Sequence, residues 1–401
     1  MSPDVQRSTC TVCGGSDLAP FLRIEAYPVF QGCVAFEAGS RERAPMSWAE
    51  CGACGSAQIT TLPALDRIYQ AGHATGLGSA WARHHAAFAD FLCTEASGPI
   101  VDVGGGSGTL AAAYRKASGN AAWTILEPNA LRAPCLPADV TVVDGFLDGD
   151  ILARINASTV VMCHMLEHVV DLRASLAVMD ATLPPDGRIC IAWPELENWT
   201  ARGLAGALNF EHGIYLTVPW LRSLFAEFGW HLAAQRRWAE NDTRFLAFTR
   251  GAPVMLDTPR SQGARAVLRF FEILRQQADR LRATLAGHDG EAFLMPASIY
   301  AQALLALGAP ESRFTALLDN SSAKQASRLY GTDLRVLAPA AALPEARNPL
   351  VVLNGGSHTA EITTGLRTIR PDVRIIAVGE PDNVKVAALS PADDFAHSIG
   401  A

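Results

Sequence analysis

The stretch Pro99-Ile-Val-Asp-Val-Gly-Gly-Gly-Ser-Gly-Thr-Leu110 decides the fold class of this chain. The residues before the glycines are mostly apolar and β-branched, which predicts a short buried parallel strand. Four glycines follow, and a helical pattern begins at Leu110. A strand that runs through a glycine turn into a helix directs backbone N–H groups and the positive end of the helix dipole toward a ligand. The stretch therefore predicts an α/β fold with a ligand-binding turn.

The spacing of the glycines separates several kinds of turn. A phosphate-binding P-loop would continue with Gly-Lys-Ser/Thr, and this stretch does not. A dinucleotide-binding G-x-G-x-x-G counted from Gly104 needs glycine at the position of Thr109. The spacing is instead Asp102-x-Gly104-x-Gly106-x-Gly108, with an acid inside the strand. A plain tight turn stays open as the alternative, because a glycine cluster alone is weak evidence.

Three further segments follow in order along the chain. Ala122-Trp-Thr-Ile-Leu-Glu127 predicts a strand that ends in a carboxylate, and a carboxylate there can accept hydrogen bonds from both ribose hydroxyls of a nucleoside cofactor. Thr141-Val-Val-Asp-Gly-Phe146 predicts a third strand. A fourth strand precedes His164-Met-Leu-Glu-His168-Val-Val-Asp, and residues 183–194 predict a turn and a fifth strand.

These segments together resemble the motifs of class I S-adenosylmethionine (SAM) methyltransferases. The glycine stretch resembles motif I, whose acid lies near the methionine moiety of the cofactor. The segment from His164 is similar to H-x-L-E-H-V-x-D, and Leu183-Pro-Pro-Asp-Gly is similar to L-x-P-G-G. In this superfamily the end of the third strand usually flanks the adenine, and a helix before motif I commonly covers the pocket. The resemblance implies SAM as cofactor, with these candidate binding residues: Asp102, Gly104, Gly106, Glu127, Phe146, His164 and Tyr69. His84 is a further candidate for lining the pocket, although tyrosine and histidine on such a helix are also common as packing residues.

The length, composition and charge of the chain limit the classes of protein to which it can belong. With 401 residues, 49% of them hydrophobic and 18% charged, the chain is long enough for two or three globular domains. A formal net charge of −7 argues against a nucleic-acid partner. There is no apolar run of about 18 residues, and the first residues lack the core of a signal peptide. We therefore expect a cytoplasmic protein without a membrane partner, acting as a monomer or homodimer on a small molecule.

Two C-x-x-C knuckles lie near the N-terminus, and glycine follows each of them. The candidate metal ligands are Cys10, Cys13, Cys51 and Cys54. Four thiolates suit tetrahedral zinc, and a long loop between the pairs costs little additional entropy. Four unrelated buried cysteines are the alternative, and a redox pair is disfavoured because neither knuckle sits on a strand-to-helix turn. We expect structural Zn²⁺, because basic and aromatic residues do not interleave here as in a nucleic-acid-binding module.

The rest of the chain predicts a second α/β unit. Residues 65–96 have a helical pattern, residues 251–262 suit a linker, and residues 264–285 form an amphipathic pattern. Strand and helix signals then alternate. We predict a Rossmann-like class I methyltransferase domain (63–255), a small N-terminal zinc-binding module (1–62) and a C-terminal Rossmann-like α/β domain (256–401).

This order resembles one group, the C-methyltransferases that act on nucleotide-linked 4-keto-deoxysugars in antibiotic biosynthesis. The segment from Asp319 to Thr332 is similar to that group's D-x-S-P-x-K-Q-G-x-x-x-P-G-T, with Ser322 and Ala326 replacing proline and glycine. In the group, this domain helps to enclose the sugar nucleotide. The resemblance implies a sugar nucleotide as substrate.

The candidate catalytic segment is Asn209-Phe-Glu211-His212, where the group carries Tyr-x-Glu-His. The resemblance implies His212 as the base that removes the proton next to the ketone, with Glu211 beside it, and Asn209 and Tyr215 as substrate contacts. An imidazole titrates near neutral pH and suits this task. Many O- and N-methyltransferases carry F-E-H-x-x-Y-F at the same place, so methylation of oxygen or nitrogen stays open. A non-catalytic scaffold that binds SAM or zinc is a further alternative.

Overall fold

The computed structural model describes residues 3–37, 41–69, 79–128, 136–354 and 356–378. Part of the predicted helical stretch 65–96 lies outside these ranges, as do residues 379–401 of the predicted C-terminal domain. The described parts of that stretch form two helices, which are given below.

The first segment of the chain forms antiparallel strands around the cysteine knuckles. Its elements are β1 (Val5–Gln6), β2 (Leu18–Pro28), β3 (Cys33–Ala35), β4 (Arg43–Cys51), β5 (Ala57–Ile59), β6 (Thr61–Leu62) and α1 (Leu65–Ile68). β4 pairs with β2 on one side and with β5 on the other. Met46 and Trp48 alternate along β4 and are fully buried, so one face of this sheet belongs to the core.

The middle segment builds a seven-stranded sheet between helices. Its elements are α2 (Ser79–Glu95), β7 (Ile100–Val103), α3 (Thr109–Lys116), β8 (Trp123–Leu126), β9 (Val140–Val143), α4 (Gly149–Ile155), β10 (Thr159–Cys163), a 3-10 turn (Leu166–His168), α5 (Leu172–Thr182), β11 (Arg188–Pro194), α6 (Leu196–Ala201), β12 (Ile214–Tyr215), α7 (Val218–Glu227), β13 (Trp230–Trp238) and β14 (Thr243–Arg250). The strand order is β13-β14-β11-β10-β7-β8-β9. The five strands from β11 to β9 are parallel, and β14 runs antiparallel to both its neighbours.

This topology confirms the predicted Rossmann-like fold. Every residue of β7 and β8 is buried, as expected for parallel strands covered on both faces. The chain leaves β7 toward β8 on one side, and β10 later pairs on the other side of β7. In open α/β sheets, ligands bind at the carboxyl ends of the strands where the order reverses. The glycine turn after β7 and the residues after β10 border this switch point.

The last segment forms the second α/β unit. Its elements are α8 (Gly263–Ala286), β15 (Ala292–Met295), α9 (Ile299–Ala306), a 3-10 turn (Glu311–Arg313), β16 (Phe314–Leu318), β17 (Ser327–Leu329), β18 (Val336–Leu337), α10 (Pro339–Ala342), β19 (Leu350–Leu353), a 3-10 turn (Gly356–His358), α11 (Thr359–Ile369) and β20 (Arg374–Ala377). Five of the strands pair in parallel in the order β18-β16-β15-β19-β20.

None of the helices in the described ranges has the length and apolar character needed to cross a membrane.

Strands of the first segment pair with strands from both other segments. β5 pairs with β12, which follows the predicted catalytic residues, and β3 pairs with β17 in the C-terminal unit. Gln302 of α9 reinforces the second junction, because its side chain bonds the carbonyl oxygens of Phe30 and Tyr330 at 2.8 and 2.9 Å. The sheet β2-β4-β5-β12 therefore spans the predicted boundary at residue 62.

Candidate active site at the switch point

The glycine turn after β7 opens toward the switch point. Gly104, Gly106 and Gly108 all have positive φ angles, and Gly108 caps α3. A Cβ atom at Gly106 would meet no atom within 4 Å, so a ligand could approach the backbone there. The N–H of Gly106 donates to Oε2 of Glu127 at 3.2 Å. The structure thus places the turn and the predicted ribose carboxylate side by side at the ends of β7 and β8.

Two other predicted cofactor contacts have contrasting surroundings. Phe146, in the loop after β9, is 61% exposed, which leaves its ring available to a ligand. Asp102 is fully buried within β7, and neither carboxylate oxygen has a hydrogen-bond partner in the described part of the chain. Burial raises the pKa of Asp102 to about 7, the indole of Trp123 acts to lower it, and the charge of Glu127 makes a smaller contribution that raises it.

His164 lies just beyond β10 with a φ of 50°. Its Nδ1 is 3.2 Å from Oε1 of Glu167, and its Nε2 is 3.2 Å from the hydroxyl of Thr243. Its ring stacks on Trp199 with centroids 5.9 Å apart. Burial acts to raise the pKa of Glu167, but the hydrogen bond from His164 and the nearby histidines lower it more. Both ring nitrogens of His164 thus lie within hydrogen-bond distance of protein groups. The predicted contact with the cofactor would therefore involve the carbon atoms or the face of the ring.

A tight turn presents the predicted catalytic histidine. The Oδ1 of Asn209 accepts the backbone N–H groups of Glu211 at 2.8 Å and of His212 at 3.1 Å. This oxygen therefore holds the turn, and the substrate contact through Asn209 stays a prediction. Asn209 is also 2% exposed. Tyr215 is 5% exposed on β12 opposite Ala57, and burial raises the pKa of its hydroxyl.

His212 meets a second histidine, His168, which belongs to the segment after β10. The Nε2 atoms of His168 and His212 are 3.1 Å apart, and the rings form an edge-to-face pair with centroids at 4.5 Å. The hydroxyl of Tyr69 is 3.1 Å from Nδ1 of His168, and Oε2 of Glu211 is 3.9 Å from the same nitrogen. Within the described ranges, the buried Nδ1 of His212 has no hydrogen-bond partner. Tyr69, Glu211 and His212 therefore lie together around His168.

The contacts between Tyr69, His168 and His212 limit where the protons on the two imidazoles can lie. Only one Nε2 atom of the two histidines can carry the shared proton. In the tautomer with a proton on Nδ1 of His168, which faces the carboxylate of Glu211 and the hydroxyl of Tyr69, the Nε2 of His168 is an acceptor. His212 then donates from its own Nε2, and its Nδ1 keeps a lone pair. A lone pair in a partly buried site can accept a proton from a substrate.

Arg7 connects the segments that carry the two histidines. Its Nε and Nη2 donate to the carbonyl of Val170 at 3.2 and 2.7 Å, and its Nη1 donates to the carbonyls of Ile59 and Gly213 at 3.2 and 3.0 Å. Val170 lies two residues after His168, and Gly213 follows His212. Burial lowers the pKa of Arg7 to about 10, so the guanidinium stays charged at neutral pH.

The four cysteines of the knuckles converge on one point. The Sγ atoms of Cys10 and Cys54 are 3.6 Å apart, those of Cys13 and Cys51 are 3.5 Å apart, and all four lie within 4.8 Å of one another. These separations exceed the ~2.05 Å of a disulfide. They fit the spacing of roughly 3.8 Å between thiolates around tetrahedral zinc with Zn–S bonds of about 2.3 Å. The donor set therefore fits one zinc ion.

Comparison with known proteins decides the class of this site. The family described as "Methyltransferase domain" matches residues 74–235, which include the glycine turn, Glu127, His168 and His212. The chain carries a methyltransferase domain. The open turn at Gly106 and the carboxylate of Glu127 fit the cofactor, whose adenosine and methionine parts need backbone access and a hydroxyl acceptor.

Solved methyltransferases are similar to this domain at low sequence identity. An O-methyltransferase family protein from Burkholderia thailandensis is 16% identical, with a TM-score of 0.34 over 43% of this chain and 58% of that chain. A mitomycin 7-O-methyltransferase is 18% identical, with a TM-score of 0.33 over 42% of this chain and 54% of that chain. A methyltransferase of calicheamicin biosynthesis, solved in its SAH-bound form, is 19% identical, with a TM-score of 0.34 over 47% and 64%. The chain thus spans little more than half the length of the first two proteins. No curated protein matches the chain.

Proposed function

We propose that this methyltransferase adds a methyl group to a carbon next to the ketone of a nucleotide-linked keto-deoxysugar, with His212 as general base. The observation that carries the proposal is the series of close contacts from Tyr69 through His168 to His212. Among the described residues, Nδ1 of His212 has no hydrogen-bond partner. SAM supplies an electrophilic methyl group when it is bound. The protein must therefore generate a carbon nucleophile and hold it in line with that methyl.

The proton and electron balance of this step is simple. Nδ1 of His212 takes the proton from the carbon next to the ketone, and the electrons of the broken C–H bond form an enolate. With SAM bound, the enolate carbon would take the methyl group from the sulfonium, so that a C–C bond would replace the C–S bond and S-adenosylhomocysteine would be the leaving group. His168 holds the Nε2–H of His212, which stabilises the imidazolium in one orientation. The proton returns to water after the transfer.

The proposed substrate class rests on the resemblance of residues 319–332 to the sugar C-methyltransferases. One observation of the backbone supports that alignment. Ala326 has a φ of 64°, which favours glycine, and the group's pattern carries glycine at this position. Lys324 donates to the carboxylate of Asp319 at 3.1 Å and to the carbonyl of Ala297 at 2.8 Å, so the segment is held against the start of α9. β17, in the same segment, pairs with β3.

We also propose that a structural zinc ion occupies the four-cysteine site. The second knuckle joins β4 to β5, and β5 pairs with β12 directly after His212. A Cβ atom at Gly55 would overlap the carbonyl oxygen of Ser261, so this knuckle also packs closely against the strand-free stretch before α8. The ion would close the loop between β4 and β5 and thereby fix the register of β12.

The position of the new methyl group tests the proposed function. The enzyme is incubated with SAM labelled with ¹³C in its methyl group and with a nucleotide-linked 4-keto-deoxysugar. We expect a product whose labelled methyl is bonded to a ring carbon by NMR. His212→Asn should give no product, whereas the control His358→Asn, on the exposed surface of the C-terminal unit, should behave as the wild type. A methyl group on oxygen or nitrogen would instead identify the alternative reaction.

A further inference from the structure

A second polar cluster at the switch point is separate from the histidine pair. His84 and His85 project from α2, and Cys163 ends β10. Their ligand atoms all lie within 4.8 Å of one another. His84 is 0% exposed, and neither of its ring nitrogens has a hydrogen-bond partner in the described part of the chain. The Nδ1 of His85 is likewise buried and without a partner among those residues.

The cluster borders the cofactor-binding turn. Cys163 ends the strand that pairs with β7, and the buried carboxylate of Asp102 in β7 contributes to raising the pKa of its thiol, after burial itself. A Cβ atom at Gly105 would lie 2.6 Å from Oδ2 of Asp102, so this carboxylate sits directly under the glycine turn. The ring of His84 is 5.1 Å from that of His164. Cys163 thus lies between the two histidines of α2 and the buried carboxyl group of Asp102 on β7.

Such groups are costly unless a ligand pairs with them, because a buried donor or acceptor without a partner keeps its full desolvation penalty. Burial lowers the pKa of His84 to about 2 and that of His85 to about 4, so both rings are neutral and each has one N–H to donate. Two imidazole donors, with a buried carboxyl group nearby, complement a zwitterion that has a carboxylate and an ammonium group. The amino-acid tail of SAM is such a group.

We infer that His84 and His85 bind the carboxylate of the amino-acid tail of SAM. The N–H groups of α2 side chains then fix the end of the cofactor farthest from its adenine, and α2 closes over the tail. This inference rests on the cofactor alone, and it does not depend on the acceptor proposed above. Its failure would leave the proposed carbon methylation untouched.

The test compares two ligands that differ in the tail. S-adenosylhomocysteine carries the amino acid, and 5′-methylthioadenosine shares the adenosine and thioether without it. Calorimetry should show that His84→Phe weakens S-adenosylhomocysteine about 10- to 100-fold, as for loss of a hydrogen bond to a charged group. Binding of methylthioadenosine should change by less than about twofold. His85→Phe should show the same selectivity, and the control His358→Phe should leave both affinities unchanged.

The stability of the ligand-free variant shows whether His84 has a binding role or a structural role. His84 lies against Trp81, Phe88 and Phe245, so a phenylalanine ring fits the same surroundings. Because the replaced imidazole has no partner in the described residues, the ligand-free His84→Phe protein should be at least as stable as the wild type. If His84→Phe does not fold, the test compares His84→Gln with His84→Leu. The glutamine retains a hydrogen-bond donor, so His84→Gln should keep the higher affinity for S-adenosylhomocysteine. Equal loss of both ligands, no loss of either, or loss of a bound metal ion from the variant would overturn the inference.

Discussion

His168 and His212 face each other through their Nε2 atoms at 3.1 Å. The two imidazoles share one proton along this contact, and the groups around Nδ1 of His168 decide which ring carries it. Tyr69 and Glu211 both approach that nitrogen, at 3.1 and 3.9 Å. If His212 is the base, we expect His168 to set its reactivity without touching the substrate.

The first prediction concerns His168 as a positioning residue. His168→Phe removes the acceptor for the Nε2–H of His212 but leaves a ring in place. We expect kcat to fall roughly 10- to 100-fold, less than the 10²–10⁴-fold that a general base contributes. KM for the acceptor should change little, and the acidic limb of the kcat–pH profile should move. Tyr69→Phe should shift the same limb with a smaller loss of rate. An unchanged pH profile in both variants would remove His168 from the mechanism.

The second prediction concerns Arg7. Arg7→Met deletes the donors to the carbonyls of Val170, Ile59 and Gly213 while keeping an apolar side chain of similar length. We expect kcat to fall at least about tenfold, because small displacements of catalytic groups are costly. Affinity for S-adenosylhomocysteine should be kept, since Arg7 contacts neither the glycine turn nor Glu127 through any of these bonds. Arg7→Lys should restore part of the rate. Parallel loss of cofactor affinity and rate would indicate a general folding defect instead.

Asn209 and Arg7 illustrate what the sequence could and could not predict. The glycine turn, Glu127 and the His164 segment follow local patterns, and the structure places them at the ends of adjacent strands. The pairings β5–β12 and β3–β17 join residues far apart in the chain, which no local spacing encodes. Arg7 has its role only through those pairings.

Asn209 differs from Arg7, because its role in the turn is local. Alignment with the sugar C-methyltransferases placed it opposite a tyrosine and therefore suggested a substrate contact. The turn geometry uses its side-chain oxygen for the N–H groups of Glu211 and His212. A side chain that mimics a backbone turn is common for asparagine, and this signal was available in the sequence.

The third prediction is a pH dependence of stability caused by Asp102. Its pKa is raised from 3.8 to about 7, mainly by burial. A carboxyl group with a raised folded-state pKa stabilises the fold fully below its unfolded pKa, and this contribution disappears as the pH rises through the folded value. The ligand-free enzyme should therefore lose stability between about pH 4 and pH 7. In Asp102→Asn this slope should be smaller in denaturant titrations. An equal slope in both proteins would refute the assignment to Asp102.

The fourth prediction concerns the cysteine site. Purified enzyme should contain about one zinc ion per chain, as expected for a closed site of four thiolates. Cys51→Ser should lose the ion and lower the thermal midpoint by more than about 5 °C. Because β5 holds β12, the variant should also lose more rate than cofactor affinity. The matched control is Cys93→Ser, whose thiol is exposed on α2. A folded, fully active protein without metal would rule out the zinc site.

The central claim is that His212 removes a proton from carbon before methyl transfer, and hydrogen exchange measures that step directly. A keto-sugar nucleotide deuterated at the carbon next to its ketone is incubated in ordinary water with enzyme and S-adenosylhomocysteine, and loss of deuterium is followed by mass spectrometry. We predict enzyme-dependent loss with the wild type and none in His212→Asn, while calorimetry shows that the variant still binds S-adenosylhomocysteine. Methylation that proceeds with all ring deuterium retained, or exchange that continues in His212→Asn, would contradict the account.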